Sequence, residues 1–113
     1  MAFEPESDYS VEEIQERVDE TIAEHEVVLF MKGTALMPQC GYSRKALGLL
    51  QQYRDDVETV DVLESLDEYR VALEEHSGWE TIPQTFVDGE FVGGSDVLEE
   101  LEERGELEET LAA

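Results

Sequence analysis

The chain has 113 residues and a hydrophobic fraction of 41%, enough for one compact domain with a core and too little for two. Its 30 acidic residues against 7 basic ones give a formal net charge of -23, which disfavours binding to nucleic acid or to anionic membranes. The only cysteine, Cys40, cannot close an internal disulfide, which excludes a stapled secreted scaffold.

Nothing in the first twenty residues resembles a signal peptide, and no apolar run approaches membrane-spanning length, so the expectation is a soluble cytoplasmic protein. The carboxylates recur from Glu12 through Glu68 to Glu109 instead of forming one block. That dispersion reads as a surface solvated for a salt-rich cytosol, where ionic strength screens self-repulsion. An acidic docking surface for a basic partner is the other reading.

Residues 1–9, with Pro5 and several acids, read as a flexible acidic tail, and residues 10–113 as a single domain. Ser10 followed by Glu13 is a capping-box pattern, and Val11, Ile14, Val18 and Ile22 give one apolar face, predicting a helix over 11–24. The run Val27-Val28-Leu29-Phe30-Met31 has the length and continuity of a strand buried on both faces. A loop from Gly33 to Gln39 leads to Cys40, where a second helix begins that ends near Tyr53. Val57, Thr59, Val60 and Val62 predict a second strand. A third helix carries Leu66, Tyr69, Val71, Ala72 and Leu73 and stops near Gly78.

Residues 84–87 and 90–92 then flank Asp88-Gly89, a hairpin signal. Val97, Leu98 and Leu101 follow at helical spacing, with Gly105 as the stop and a short further helix over 106–111. A helix joining two strands makes them parallel, and the hairpin adds an antiparallel pair. The fold class is therefore α/β, a four-stranded mixed sheet flanked by helices.

A cysteine at a helix N-terminus is favoured as a thiolate by unpaired backbone N–H groups and the helix dipole. Lys32, Arg44 and Lys45 can add positive charge. The competing reading, a small buried hydrophobe, fits poorly with the flanks Gln39, Gly41 and Ser43. One thiolate cannot complete a tetrahedral metal site, so Cys40 would share any metal with a partner chain or a small thiol. His25 and His76 fall at predicted helix ends, with no ligand spacing to Cys40. Pro83 either opens a strand in trans or, as a cis residue after Thr81-Ile82, exposes the Ile82 backbone to an extended peptide. Gly93-Gly94-Ser95-Asp96 offers bare N–H groups for a carboxylate, or simply a hairpin end and an N-cap. Trp79 reads as packing and Gly48 as a site of close helix packing.

The order Met31-Lys32-Gly33-Thr34, Pro38-Gln39-Cys40-Gly41-Tyr42-Ser43-Arg44, Trp79-Glu80-Thr81-Ile82-Pro83-Gln84 and Asp88-Gly89-Glu90-Phe91-Val92-Gly93-Gly94-Ser95-Asp96 closely resembles the monothiol glutaredoxins with a Cys-Gly-Phe-Ser site. The resemblance covers about residues 11–105. It implies a thioredoxin fold in which Cys40 is thiolate and cluster ligand, with Gly41 and Tyr42 beside it. Lys32 and Arg70 would meet the glycine carboxylate of glutathione. Thr81, Ile82 and the cis Pro83 would line its backbone, and Gly94, Ser95 and Asp96 would hold its γ-glutamyl end.

Such proteins form homodimers around a [2Fe-2S] cluster, with one cysteine per protomer and two glutathione thiols as ligands. They serve apo iron-sulfur proteins, with a BolA-like protein as a further partner. Tyr42 stands where the family has Phe, Glu80 where it has Pro, and Ser95 where Cys is common. A γ-glutamyl thiol without the glycine would leave Lys32 and Arg70 without their partner. The first expectation is thus an iron-sulfur carrier. The second is a monothiol oxidoreductase acting on glutathione-protein mixed disulfides; Ser43, where dithiol relatives carry a second cysteine, rules out an internal resolving thiol.

Overall fold

The computed structural model describes residues 9–112, so the expected tail over 1–9 lies outside the described residues except for Tyr9, whose ring sits 3.8 Å from the Arg17 guanidinium. Helix α1 (Val11–Glu24) starts where the capping box places it. The Ser10 hydroxyl accepts from the Glu13 N–H at 3.1 Å, and the Glu13 carboxylate accepts from the Ser10 N–H at 2.9 Å. Its residues Ile14, Val18 and Ile22 are buried.

Strand β1 (Val27–Met31) is buried throughout. It is central, parallel to β2 (Glu58–Asp61) on one side and antiparallel to β3 (Gln84–Val87) on the other, and β4 (Glu90–Gly93) completes the order β2-β1-β3-β4. Alternation along β1 divides the core. Val28 and Phe30 join α1 and α3 (Leu66–Ser77). Val27, Leu29 and Met31 join α2 (Gly41–Gln51), α4 (Ser95–Glu103) and α5 (Leu107–Leu111). This two-layer burial is the physical reason for an unbroken apolar run.

Strand β2 is the half-buried edge and is shorter than its apolar spacing predicts, because Val62 turns into the core just after it. A 3-10 turn over Leu63–Ser65, invisible in the periodicity, leads into α3. Gly78 ends α3 in the left-handed region at φ 78°, and Asp88 and Gly89, at φ 51° and 84°, form the tight hairpin turn. Arg54 holds α5 down: its guanidinium binds the Leu111 carbonyl and the Glu26 and Asp56 carboxylates. Among the described residues, no helix is long and apolar enough to cross a membrane.

Gly48 corrects an expectation. A Cβ built there meets nothing within 4 Å, because the residue faces solvent on α2 and packs against no neighbour. Gly48→Ala should therefore stabilise the fold by about 0.5–1 kcal/mol, seen as a rise of a few degrees in the thermal midpoint; a fall would mean a hidden close contact.

Candidate functional site: a thiol beside an apolar groove

The segment before Cys40 is tightly braced. The Gln39 N–H donates to the Lys32 carbonyl at 2.9 Å, Thr34 and Met37 exchange backbone hydrogen bonds at 3.2 Å, and the Gly33 N–H donates to the Asp61 carboxylate at 3.0 Å. Gly33 has φ 97°, and a Cβ there would lie 2.5 Å from the Gln39 nitrogen, so only glycine fits the turn. The turn leaves Leu36 and Met37 in solvent, at 95% and 68% exposure.

Cys40 is the N-cap of α2, half-buried and extended. Burial, the largest single influence, pushes its thiol up. The Ser43 and Tyr42 backbone N–H groups, the Ser43 hydroxyl and the Lys32 charge together outweigh it and hold the thiol below its ordinary value. In the structure the Cys40 side chain makes no capping hydrogen bond. The amides at the start of α2 act on the anion that forms, as dipoles facing it.

Ser43 is fully buried, its hydroxyl accepts from the Lys32 N–H at 3.0 Å, and the same hydroxyl is one of the influences that lower the Cys40 thiol. From sequence Ser43 reads as a missing thiol and a polar flank unsuited to the core; its burial corrects the second reading, because the Lys32 N–H satisfies the hydroxyl there. Lys32 acts on the thiol through its charge, whereas Lys45 is committed to Glu99 of α4 at 2.7 Å.

Seven predicted residues line one apolar groove of about 420 Å³: Tyr42, Thr81, Ile82, Pro83, Gly94, Ser95 and Asp96. The Ile82–Pro83 bond is cis, and the Ile82 backbone makes no hydrogen bond to the described fold. Gly94 is the N-cap of α4, and a Cβ on it would come within 3.1 Å of the Pro83 carbonyl, so a side chain there would push the corner apart by a few tenths of an ångström. Gly41 adds no side chain beside Cys40, and nothing stands within 4 Å of its Cβ position.

Arg70, like Lys32, Cys40 and Gly41, is not among the residues that line this groove. It sits on α3 with its nearest carboxylate, Asp67, at 3.7 Å. Trp79, read from sequence as packing, is instead 56% exposed at the groove's rim, its ring 6.2 Å from that of Phe91. Phe91, Val97 and Gln84 complete the lining; from sequence Phe91 and Gln84 are only strand and motif positions, and Val97 only part of the apolar spacing of α4.

His25 and His76 stand at helix ends away from the groove, the latter 2.6 Å from Asp19. Among the described residues, no group of three or more His, Cys, Asp or Glu could hold a metal ion.

Residues 27–92 match the glutaredoxin family. The chain is 48% identical over 99 residues to a monothiol glutaredoxin of Synechocystis, described as uncharacterized and ycf64-like, covering 88% of this chain and 92% of that one. The chain belongs to the monothiol glutaredoxin family. A further member, from Porphyra purpurea, is 44% identical over 104 residues, covering 89% and 96%. The solution structure of reduced poplar apo GrxS14 superposes with a TM-score of 0.76 at 40% identity, covering 88% of this chain and 90% of that one. The four-stranded sheet and its helices are thus a thioredoxin-fold glutaredoxin domain.

In a glutaredoxin whose thiol is tuned this way, reactivity should follow the thiolate fraction. The iodoacetamide alkylation rate of Cys40 should rise with pH and level off below the range of an ordinary cysteine, whose pKa is about 8.5. Ser43→Ala should shift that profile to higher pH and, by orphaning the Lys32 N–H, cost about 1–3 kcal/mol of stability. Because the folded thiol titrates below the unfolded one, its stabilisation is full above the unfolded pKa and is lost as pH falls through the folded one. An unchanged alkylation profile in Ser43→Ala would remove the hydroxyl from the account.

Proposed function

We propose that this glutaredoxin holds and hands on a [2Fe-2S] cluster as cargo, ligated by Cys40 together with glutathione or another γ-glutamyl thiol. The observation that carries the reading is the single thiol, held below its ordinary pKa at the start of α2, two residues before Tyr42 of a peptide-sized groove, with no second cysteine in the chain. Such clusters take about four thiolates. Two copies of this chain supply two through Cys40, and two small thiols supply the rest.

The groove suits such a thiol. The free Ile82 backbone beside Pro83 would pair with its peptide group, as a strand is added to a sheet edge. The α4 N-terminus at Gly94, Ser95 and Asp96 would take the α-carboxylate and amino group of the γ-glutamyl end. Lys32, which makes no ion pair among the described residues, would meet the glycine carboxylate, and Arg70 would join it after leaving Asp67.

Cargo passes on when thiolates of an apo iron-sulfur protein displace the glutathiones and then Cys40, with a BolA-like protein as a regulatory partner. The dispersed charge of -23 supports a home in a salt-rich, halophilic cytoplasm.

The depressed Cys40 thiol favours a second reading, thiol-disulfide exchange. Here Cys40 attacks the glutathione sulfur of a mixed disulfide and expels the protein thiolate. A second glutathione thiolate then attacks the Cys40–glutathione bond, freeing Cys40 and releasing glutathione disulfide.

Anaerobic reconstitution with iron, sulfide and excess glutathione separates the two. The carrier reading predicts a thiol-dependent [2Fe-2S] absorbance that Cys40→Ser abolishes. A colourless protein with glutathione and with γ-glutamylcysteine, combined with rapid reduction of a glutathionylated substrate, would overturn it in favour of exchange.

A further inference from the structure

Gln84 is 1% exposed and lines the groove from the first position of β3. Its Nε2 donates to the Trp79 carbonyl at 2.8 Å and to the Thr81 carbonyl at 3.1 Å. Both partners are pure acceptors, so the amide's orientation is unambiguous. That orientation leaves Gln84 Oε1 buried with no hydrogen-bond partner among the described residues. An orphaned buried acceptor costs about 1–3 kcal/mol, a penalty a methionine of similar size would avoid.

The two N–H groups are what this position uses. They fasten the segment between α3 and the cis proline at two points. The Ser77 hydroxyl fastens the same segment from the other end, accepting from the Trp79 N–H at 3.0 Å, while its single proton is shared between the Leu73 carbonyl at 3.0 Å and the Trp79 carbonyl at 3.2 Å. Trp79 and Thr81 both line the groove, and the free Ile82 backbone follows directly.

We propose that Gln84 is a positioning residue for thiol-ligand binding: its amide clamps residues 79–81 into a preformed groove wall, so that Trp79 and the Ile82 backbone meet the ligand without reordering. The energetic logic is preorganisation, since a strap ordered beforehand is not ordered at the expense of binding. The inference rests on the groove's being the thiol-ligand site.

The clamp can be tested with and without ligand, because Trp79 is the only tryptophan in the chain. Without ligand, Gln84→Met should lower Trp79 fluorescence anisotropy and increase acrylamide quenching. With S-methylglutathione, it should raise Kd by roughly tenfold. The pH profile of Cys40 alkylation should stay in place, since that rests on α2.

Ser77→Ala provides a milder variant with the same signature. The double variant should fall short of additivity, because both side chains hold the backbone of the same residue, Ser77 at the Trp79 N–H and Gln84 at its carbonyl. Unchanged anisotropy and quenching in both variants would overturn the clamp. Altered anisotropy with an unchanged Kd would overturn its role in binding. Native protein that fails to bind S-methylglutathione would instead overturn the reading of the groove, whatever Trp79 reports.

Discussion

One buried hydroxyl joins the two halves of this site. Ser43 accepts the first backbone N–H beyond β1, and the same hydroxyl helps to lower the thiol of the cysteine that caps α2. The loop of residues 33–39 is thereby closed onto the helix, and the sulfur keeps its place against the amides of Tyr42 and Ser43. A thiol held this way is lowered below its ordinary pKa without a neighbouring histidine or a second cysteine. The same geometry limits it, because a chain with one thiolate must borrow its remaining chemistry from other molecules.

The fold supplies the other wall through the chain's return. Strand β3 enters the sheet beside β1 after the cis proline, and β4 turns into α4 over Gly93 and Gly94, where any side chain would strike Val97 or the Pro83 carbonyl. An apolar groove beside the thiol follows, with aromatic rings at its rim and helix amides at its far end. Charge is distributed to match. The surface is crowded with carboxylates, yet Lys32 remains uncommitted beside the sulfur while Lys45, Arg54 and Arg104 are bound to acids.

Much of this was legible in the sequence wherever the information is local. The capping box at Ser10, the buried run of β1, the Gly78 stop and the Asp88-Gly89 turn each follow from residues within a few positions of one another. What stayed hidden depends on contacts between distant segments. No periodicity reveals that Ser43 receives the Lys32 N–H, that Asp61 secures Gly33, or that Lys45 is held by Glu99. Gly48 misled because a helical glycine implies a close neighbour, and here there is only solvent. Trp79 misled in the opposite direction, since it read as packing while Gln84 and Ser77 hold its backbone at the groove's edge.

The central claim is that the chain completes its chemistry with borrowed thiols, and native mass spectrometry of the reconstituted protein tests it most directly. The account predicts a species of two chains, one [2Fe-2S] unit and two γ-glutamyl thiols, which falls to apo monomer when Cys40 is replaced by serine. A cluster-bearing species without the small thiol, or one that persists in the Cys40→Ser protein, would contradict it.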